Sequence, residues 1–427
     1  MAGKRFLNLI LCFAVLFSVP VFAQSVPFTW GHQWGVGARA MGMGGAYTAL
    51  ADDYSGLYYN PAGLGQIDQS QIFWTFSHLL YSNRATFLGS ENLEKSAYTK
   101  LNDLGAVIPL PTVSGSLVLG FGIHRVQDYD KSLFVTRVIN TPGDSVTWQY
   151  DEMEEGGLRQ ASFGGSIEMA PDLFLGMSVN FWYGVDEYTW RFTELDEPYD
   201  LYTFSEFHET TFIKTRFVGV NLSAGFLYKV METFRLGLVV ETPVNLNASE
   251  DWEYSQKTRW DDGVTTQDTT DSGLWEYSVR SPWKIRLGGA LSLGPLLLSG
   301  DVQLTDYTQI RYSSDPAETG SDFSDTNLDI RRNFQNTMDY RIGAEFHIPA
   351  TPVRLRGGWG IVHSPLKNAL SSWNRTYISL GGGAMISDRL ILDGAYVYTG
   401  WDGVGDEVIE KEKIKAAKIL ISLTYLM

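Results

Sequence analysis

The chain has 427 residues, a formal net charge of −16 and a single cysteine, Cys12. That acidity argues against nucleic acid and against attraction to an anionic membrane surface, and one cysteine excludes a disulfide framework. Thirteen Trp and 22 Tyr supply rings suited to a boundary between apolar and wet surroundings.

Lys4 and Arg5 precede an apolar run from Phe6 to about Val19, and Val21-Phe22-Ala23 follows. This pattern predicts a secretory signal peptide over 1–23, cut after Ala23. Cys12 lies inside its apolar core, the wrong place for a lipid acceptor. Losing Lys4 and Arg5 takes the net charge from −16 to −18. Beyond Ala23 no apolar stretch approaches the roughly 18 residues of a spanning helix.

Residues 24–68 are dominated by small side chains. Asn60 followed by Pro61 reads as a helix start, because the Asn side chain can accept from early amides and Pro presets φ. Asp52 or Asp53 could cap another short helix. The segment therefore predicts a compact unit of short helices.

From residue 69 a different rhythm sets in. Trp283, Ile285, Leu287, Gly289, Leu291 and Leu293 alternate with Lys284, Arg286, Gly288, Ala290 and Ser292; Gly294-Pro295 turns the chain, and alternation resumes from Leu296. Eleven residues from Trp283 to Leu293 match the roughly 9 to 11 that a tilted strand needs to cross hydrocarbon. Counting in the same way gives strands near 71–82, 103–108, 115–126, 158–170, 173–183, 217–230, 234–242, 283–293, 296–304, 340–348, 353–362, 375–387, 390–399 and 414–427. Polar stretches separate the hairpins at 83–102, 127–157, 186–212, 246–276, 306–335, 363–374 and 402–413, and these are expected to be long loops.

Hydrocarbon offers no hydrogen-bond partner, so such a sheet must close. The expected fold is an all-β transmembrane barrel of about fourteen antiparallel strands over 69–427, with residues 24–68 as an N-terminal plug, or hatch, inside the lumen. A barrel of that size is too wide for side chains alone to fill. The last segment, ending Tyr425-Leu426-Met427, resembles the C-terminal signal read by barrel-assembly machinery during insertion, with Met427 where Phe is usual.

The run from Ala38 to Leu64, with Gly44-Gly45-Ala46, Ala51-Asp52-Asp53 and Asn60-Pro61-Ala62-Gly63-Leu64, resembles the hatch of the FadL, TodX and OmpP1 family of outer-membrane transporters for hydrophobic compounds. Ser281-Pro282-Trp283, Val353 to Gly358 and Arg375 to Gly381 are similar to strand starts of the same family. The resemblance implies residence in the bacterial outer membrane and passive, diffusion-driven uptake of long-chain fatty acids or aromatic hydrocarbons. It also implies an outer landing groove and a sideways exit where the third strand kinks. Gly115, Gly120 and Gly122 are candidates for that kink, or else relieve crowding against the plug. The alternative is a FadL-like barrel without transport, serving as a surface-anchoring or secretion-complex subunit.

Ring-rich stretches offer groove candidates: Tyr188, Trp190, Phe192, Tyr199 and Tyr202, then Phe204 and Phe207, faced by Trp252 and Trp260. The same rings could instead continue strands above the membrane or form the outer girdle. Strand parity places Lys284, Arg286, Asp301 and Arg341 on the lumen face, with Glu345, Arg354, Arg356 and Asp393. These charges are expected to anchor the plug by pairing with one another and with Arg39, Asp52 and Asp53, since buried charges need partners; the alternative is that one clamps a ligand carboxylate. Six scattered His lack metal-ligand spacing, so neither metal, cofactor nor catalytic residue is expected and the chain does not read as an enzyme. Expected partners are a hydrophobic small molecule, outer-membrane lipid and the assembly machinery, with no nucleic acid, the chain itself being a monomer.

Overall fold

The computed structural model describes residues 32–141, 144–196, 203–314, 322–403 and 409–427. The expected signal peptide, Tyr199 and Tyr202 lie outside these residues. Small residues and paired glycines cannot sustain long helices, and the N-terminal part folds as short pieces. Strand β1 (His32–Gln33) is followed by helices α1 (Ala38–Gly42) and α2 (Gly56–Tyr59) and a 3-10 turn at Pro61–Gln66. Asn60 caps that turn, its side chain accepting from the Ala62 N–H at 3.1 Å with Pro61 as the first residue. Asp53 acts one step earlier than expected, accepting from the Ser55 N–H at 2.9 Å ahead of α2.

The remaining strands in chain order are β2 (Gln71–Phe87), β3 (Ser90–Leu110), β4 (Leu117–Asp128), β5 (Lys131–Thr141), β6 (Asp144–Ala170) and β7 (Leu173–Asp196). Then come β8 (Phe204–Met231), β9 (Phe234–Glu241), β10 (Asn245–Trp260), β11 (Thr265–Arg280), β12 (Lys284–Leu293) and β13 (Leu296–Asp306). After β14 (Arg311–Ser313) and helix α3 (Ser324–Asn333), the chain finishes with β15 (Asn336–His347), β16 (Val353–Val362), β17 (Arg375–Ser387), β18 (Leu390–Asp402) and β19 (Ile409–Leu426). The pairing of β19 with β2 closes a barrel of 14 antiparallel strands, and β1, β5, β10, β11 and β14 are additional to those fourteen. Side-chain alternation sorts the faces: Thr75 is fully buried and Phe76 is 52% exposed. The outward set, including Leu80, Phe121, Phe163, Leu287 and Ile378, forms the apolar band that lipid covers.

Four of the expected loops are largely strand. β2 and β3 run up to a tight turn at Leu88-Gly89, both at positive φ, and β5–β6, the upper halves of β7–β8, and β10–β11 are hairpins standing above the membrane. The sequence hides them because water, not lipid, bathes their outer face, so apolar alternation is no longer needed. Threonine-rich stretches such as 265–270 keep the β-branched preference for strand without a greasy face. β10 and β11 continue β9 and β12 above Pro243 and Pro282, which cannot donate to a ladder. Val244 and Ser281 bridge the two breaks, with the Ser281 N–H donating to the Val244 carbonyl at 2.8 Å and the Val244 N–H to Ser281 Oγ at 2.9 Å.

One stretch of wall departs from regularity. β4 pairs with β3 only as far as His124 opposite Asp103, then bulges at Arg125–Gln127. Residues Arg125 to Asp130 are all buried, and Lys418 of β19 reaches Asp128 at 2.9 Å. Above this point β5 packs on the inner face of β2, where Leu133 and Val135 join Ala85, Phe87 and Ile409.

Candidate functional site

The hatch is fastened to the wall on almost every side. The Gly37 N–H donates to Asp103 of β3 at 3.0 Å and the Ala38 N–H to Ser422 of β19 at 2.9 Å. Asp301 of β13 accepts from the amides of Tyr47 and Thr48 at 2.8 and 2.9 Å, and from the Thr48 hydroxyl at 2.7 Å. Ser166 of β6, Arg286 of β12, Ser299 of β13, and Tyr377 and Ser379 of β17 donate to hatch carbonyls, all within 3.1 Å. Buried Asn60 completes the ring, its amide donating to the carbonyls of Thr48 at 2.8 Å and of Phe226 in β8 at 3.1 Å.

A chain of alternating charges runs outward from the hatch. Asp52 meets Arg39 at 2.7 Å, Arg39 meets Glu345 at 3.0 Å, and Arg356 joins Glu345 and Asp393, each at 2.6 Å. Asp53 is tied into the same knot by the Tyr47 hydroxyl at 2.8 Å. Burial pushes the Asp52 carboxyl up, but Arg39 and Arg235 outweigh it and hold it below the usual carboxylate range. For Asp53 burial dominates, Asp52 adds to it, and the carboxyl stays above its usual range despite Arg39. Burial opposes charge on Arg39, yet Asp52 and Glu345 help keep it firmly protonated.

The eight parity-assigned lumen charges do all face inward. Lys284, Arg286, Asp301 and Arg341 line a cavity on one side of the hatch, together with Tyr58, Tyr59, Arg375 and Tyr377. Its volume is about 100 Å³, room for a few waters and smaller than the few hundred Å³ of a typical ligand pocket. Glu345, Arg354 and Asp393 border a separate vestibule, with Asp52, Asp53 and the turn residues Gly294 and Pro295. Arg356 is buried against Glu345 and Asp393. Both hollows carry acids and bases on facing walls.

Gly115 lies in the turn before β4, at φ 68°, because the chain needs a left-handed residue to leave Val113-Ser114. Gly120 and Gly122 are in β4, and a Cβ on either would sit 3.2 Å from Leu57 of the hatch. These two make room for the plug, and the bend of β4 comes later, at the Arg125–Gln127 bulge. Other wall glycines do the same more severely. A Cβ at Gly176 would lie 2.3 Å from the Ala62 nitrogen, and one at Gly343 2.3 Å from the Met43 carbonyl oxygen. The sequence marks these two and Asp103 only as glycine, or a carboxylate, at lumen parity inside a strand.

The described ring residues sit on strands above the membrane. Tyr188, Trp190 and Phe192 share the inner face of β7, where Trp190 packs edge-on against Tyr150 and Phe192 against Trp148, with centroids 5.8 Å apart in both pairs. Phe204 and Phe207 lie on β8, 6.2 Å apart; Trp252 and Trp260 lie on β10, and Trp260 donates to the Thr266 hydroxyl at 3.1 Å. β10 pairs directly with the upper part of β8, setting Trp252 opposite Ile213 and Trp260 opposite Phe204. The third and fourth outer excursions are therefore one continuous sheet where a groove was expected between them.

A family model described as BamG matches residues 5–352. No curated protein matches the chain. Among solved structures, the toluene transporter TodX of P. putida superposes with a TM-score of 0.65 at 13% identity, covering 93% of this chain and 99% of that one. A FadL homologue from Pseudomonas aeruginosa gives 0.60 at 13% identity over 92% and 99%. The toluene transporter TbuX of Ralstonia pickettii gives 0.60 at 14% identity over 92% and 98%. At such identities the likeness is one of fold.

Proposed function

The chain belongs to the BamG family, and from that premise we propose that this FadL-like outer-membrane barrel is a subunit of the barrel-assembly complex that works through its outer surfaces with its lumen kept shut. The observation that carries this reading is the fastening of the hatch. On the order of ten hydrogen bonds to the wall, each worth about 1 kcal/mol net, make displacement cost about 10 kcal/mol, so the open fraction is on the order of one in ten million. A passive conduit needs its stopper to move as often as ligand arrives. Both hollows beside the hatch are charged, which disfavours an apolar cargo. In this reading the lumen charges anchor the hatch and the chain performs no catalysis.

The sheet above the membrane supplies a face for a neighbour. β11 pairs with β10 along its length, but among the described residues its other edge meets β14 only at Ser278–Arg280. From Gln267 to Tyr277 no further strand pairs with this edge among the described residues, and an extended segment can add there. The chain, tagged and expressed at its native level, is expected to copurify in mild detergent with the central assembly barrel in near-equal amount, carrying no hydrocarbon detectable by mass spectrometry. Isolation as a lone barrel loaded with fatty acid or aromatic hydrocarbon would overturn the reading in favour of transport.

A further inference from the structure

The chain is acidic overall, yet one outward patch is basic. In β2 the even-numbered side chains face out, and the register sets Ser82 between Lys415 of β19 and Lys95 of β3, and Arg84 between Lys413 and Leu93. Thr86, one step higher, lies opposite Lys411. With strands about 4.8 Å apart, Lys95 and Lys415 stand about 10 Å from each other, and Lys413 about 7 Å above Lys415. The alternation Lys411-Glu412-Lys413 sorts charge by face: the lysines point out, while Glu412 turns inward and accepts from Asn83 at 2.7 Å.

All four lysines are exposed, and no ion pair among the described residues includes them; Arg84 pairs with Glu91. The register sets Asp402 of β18 opposite Lys413 without an ion pair among the described residues, whereas Lys214 pairs with Glu187 and Arg216 with Asp251, both at 2.5 Å. Immediately below the patch the register places Ala417, Leu80 and Ala97 side by side, with Tyr398 next to Ala417. The two alanines leave a shallow hollow of about 430 Å³, bordered by Leu80 and Tyr398 and by Lys95 and Lys415. Leu80, Tyr396 and Ile419 belong to the lipid-facing band, so the hollow sits at the upper membrane boundary, apolar below and cationic above.

That arrangement fits an amphiphile with an anionic head, its chain against the alanines and its phosphate among the ammonium groups. We propose that Lys95, Lys413 and Lys415 bind the phosphate of an anionic glycolipid in the outer leaflet, with one acyl chain lying along Ala97, Leu80 and Ala417. The site is built from strand register alone and is independent of any role in assembly.

The full-length barrel in detergent is titrated with phosphorylated lipid A, with dephosphorylated lipid A and with inorganic phosphate, and bound lipid is counted by native mass spectrometry. The parental barrel is expected to hold phosphorylated lipid A, and the combined variant Lys95→Gln, Lys413→Gln, Lys415→Gln to bind it on the order of 100-fold more weakly, at about fivefold per lysine. The control Lys214→Gln, on the opposite part of the sheet, keeps parental binding, and raised salt weakens the parent but hardly the triple variant. The proposal fails if the triple variant binds like the parent, or if dephosphorylated lipid A binds equally well. It also fails if millimolar inorganic phosphate displaces the lipid, since the site then recognises a free anion. Heat-modifiable migration on gels confirms in each case that the variant barrel is closed.

Discussion

Replacing Glu345 by alanine is expected to unfasten the hatch while the wall stays closed. The Glu345 carboxylate is 1% exposed and receives Arg39 at 3.0 Å and Arg356 at 2.6 Å. Its removal leaves two buried guanidiniums, of which Arg356 retains Asp393 and Arg39 retains Asp52. Breaking a buried pair by deleting one partner costs about 3–5 kcal/mol, and that cost falls on the contact between hatch and wall, because β15 keeps its backbone ladders to β13 and β16. Amide exchange measured by mass spectrometry is therefore expected to rise by about two to four orders of magnitude over Gly37 to Leu64 and to stay parental in the strands. Unchanged exchange in the hatch would mean that the charge chain is not what fastens it.

Gly176→Val tests the same attachment by shape. The existing Cβ-free contact places the wall backbone against Pro61 and Ala62, and a Cβ would come within 2.3 Å of the Ala62 nitrogen. Overpacking that neighbouring side chains can relieve costs about 1–3 kcal/mol; here the obstacle is backbone on both sides, so the hatch must leave its seat. The expected result is a barrel that inserts but exposes residues 38–66 to protease from the periplasmic side. Gly382→Val, whose Cβ would meet nothing nearer than the Arg354 carbonyl oxygen at 3.5 Å, is expected to behave like the parent. A protease-resistant hatch in Gly176→Val would show that the plug is seated elsewhere.

The wall was legible because membrane and lumen impose opposite demands on adjacent residues. Ile285 and Leu287 against Lys284 and Arg286 leave one possible register. The cap at Asn60-Pro61 was legible for a local reason, since it needs only two neighbours. The hairpins at 186–212 and 246–276 were not, because their outer face is wet and alternation there carries no apolar mark. The partners of the hatch were half legible. Parity found Asp301, Glu345 and Arg356, and the same parity marks Asp103 and glycines 176 and 343 as inward, but which hatch atoms they meet is set by proximity, which spacing along the chain does not encode. The described rings Tyr188, Trp190, Phe192, Phe204 and Phe207 were legible as ring-rich but not as strand, because half-buried pairs such as Trp190–Tyr150 pack across neighbouring strands of a wet sheet. Net charge likewise averaged away Lys95, Lys413 and Lys415, which only strand register gathers into one patch.

On the proposed reading the hatch is a fixed part of the molecule. The only cysteine, Cys12, lies in the expected signal peptide, so an engineered pair, Ala38→Cys with Ser422→Cys, is the sole disulfide in the mature chain; the Ala38 amide already lies 2.9 Å from Ser422 Oγ. Cells carrying the oxidised, locked barrel are expected to insert their other outer-membrane barrels at the parental rate, and reductant to change nothing. Loss of that activity in the locked protein, restored on reduction, would contradict the account by showing that the hatch must move.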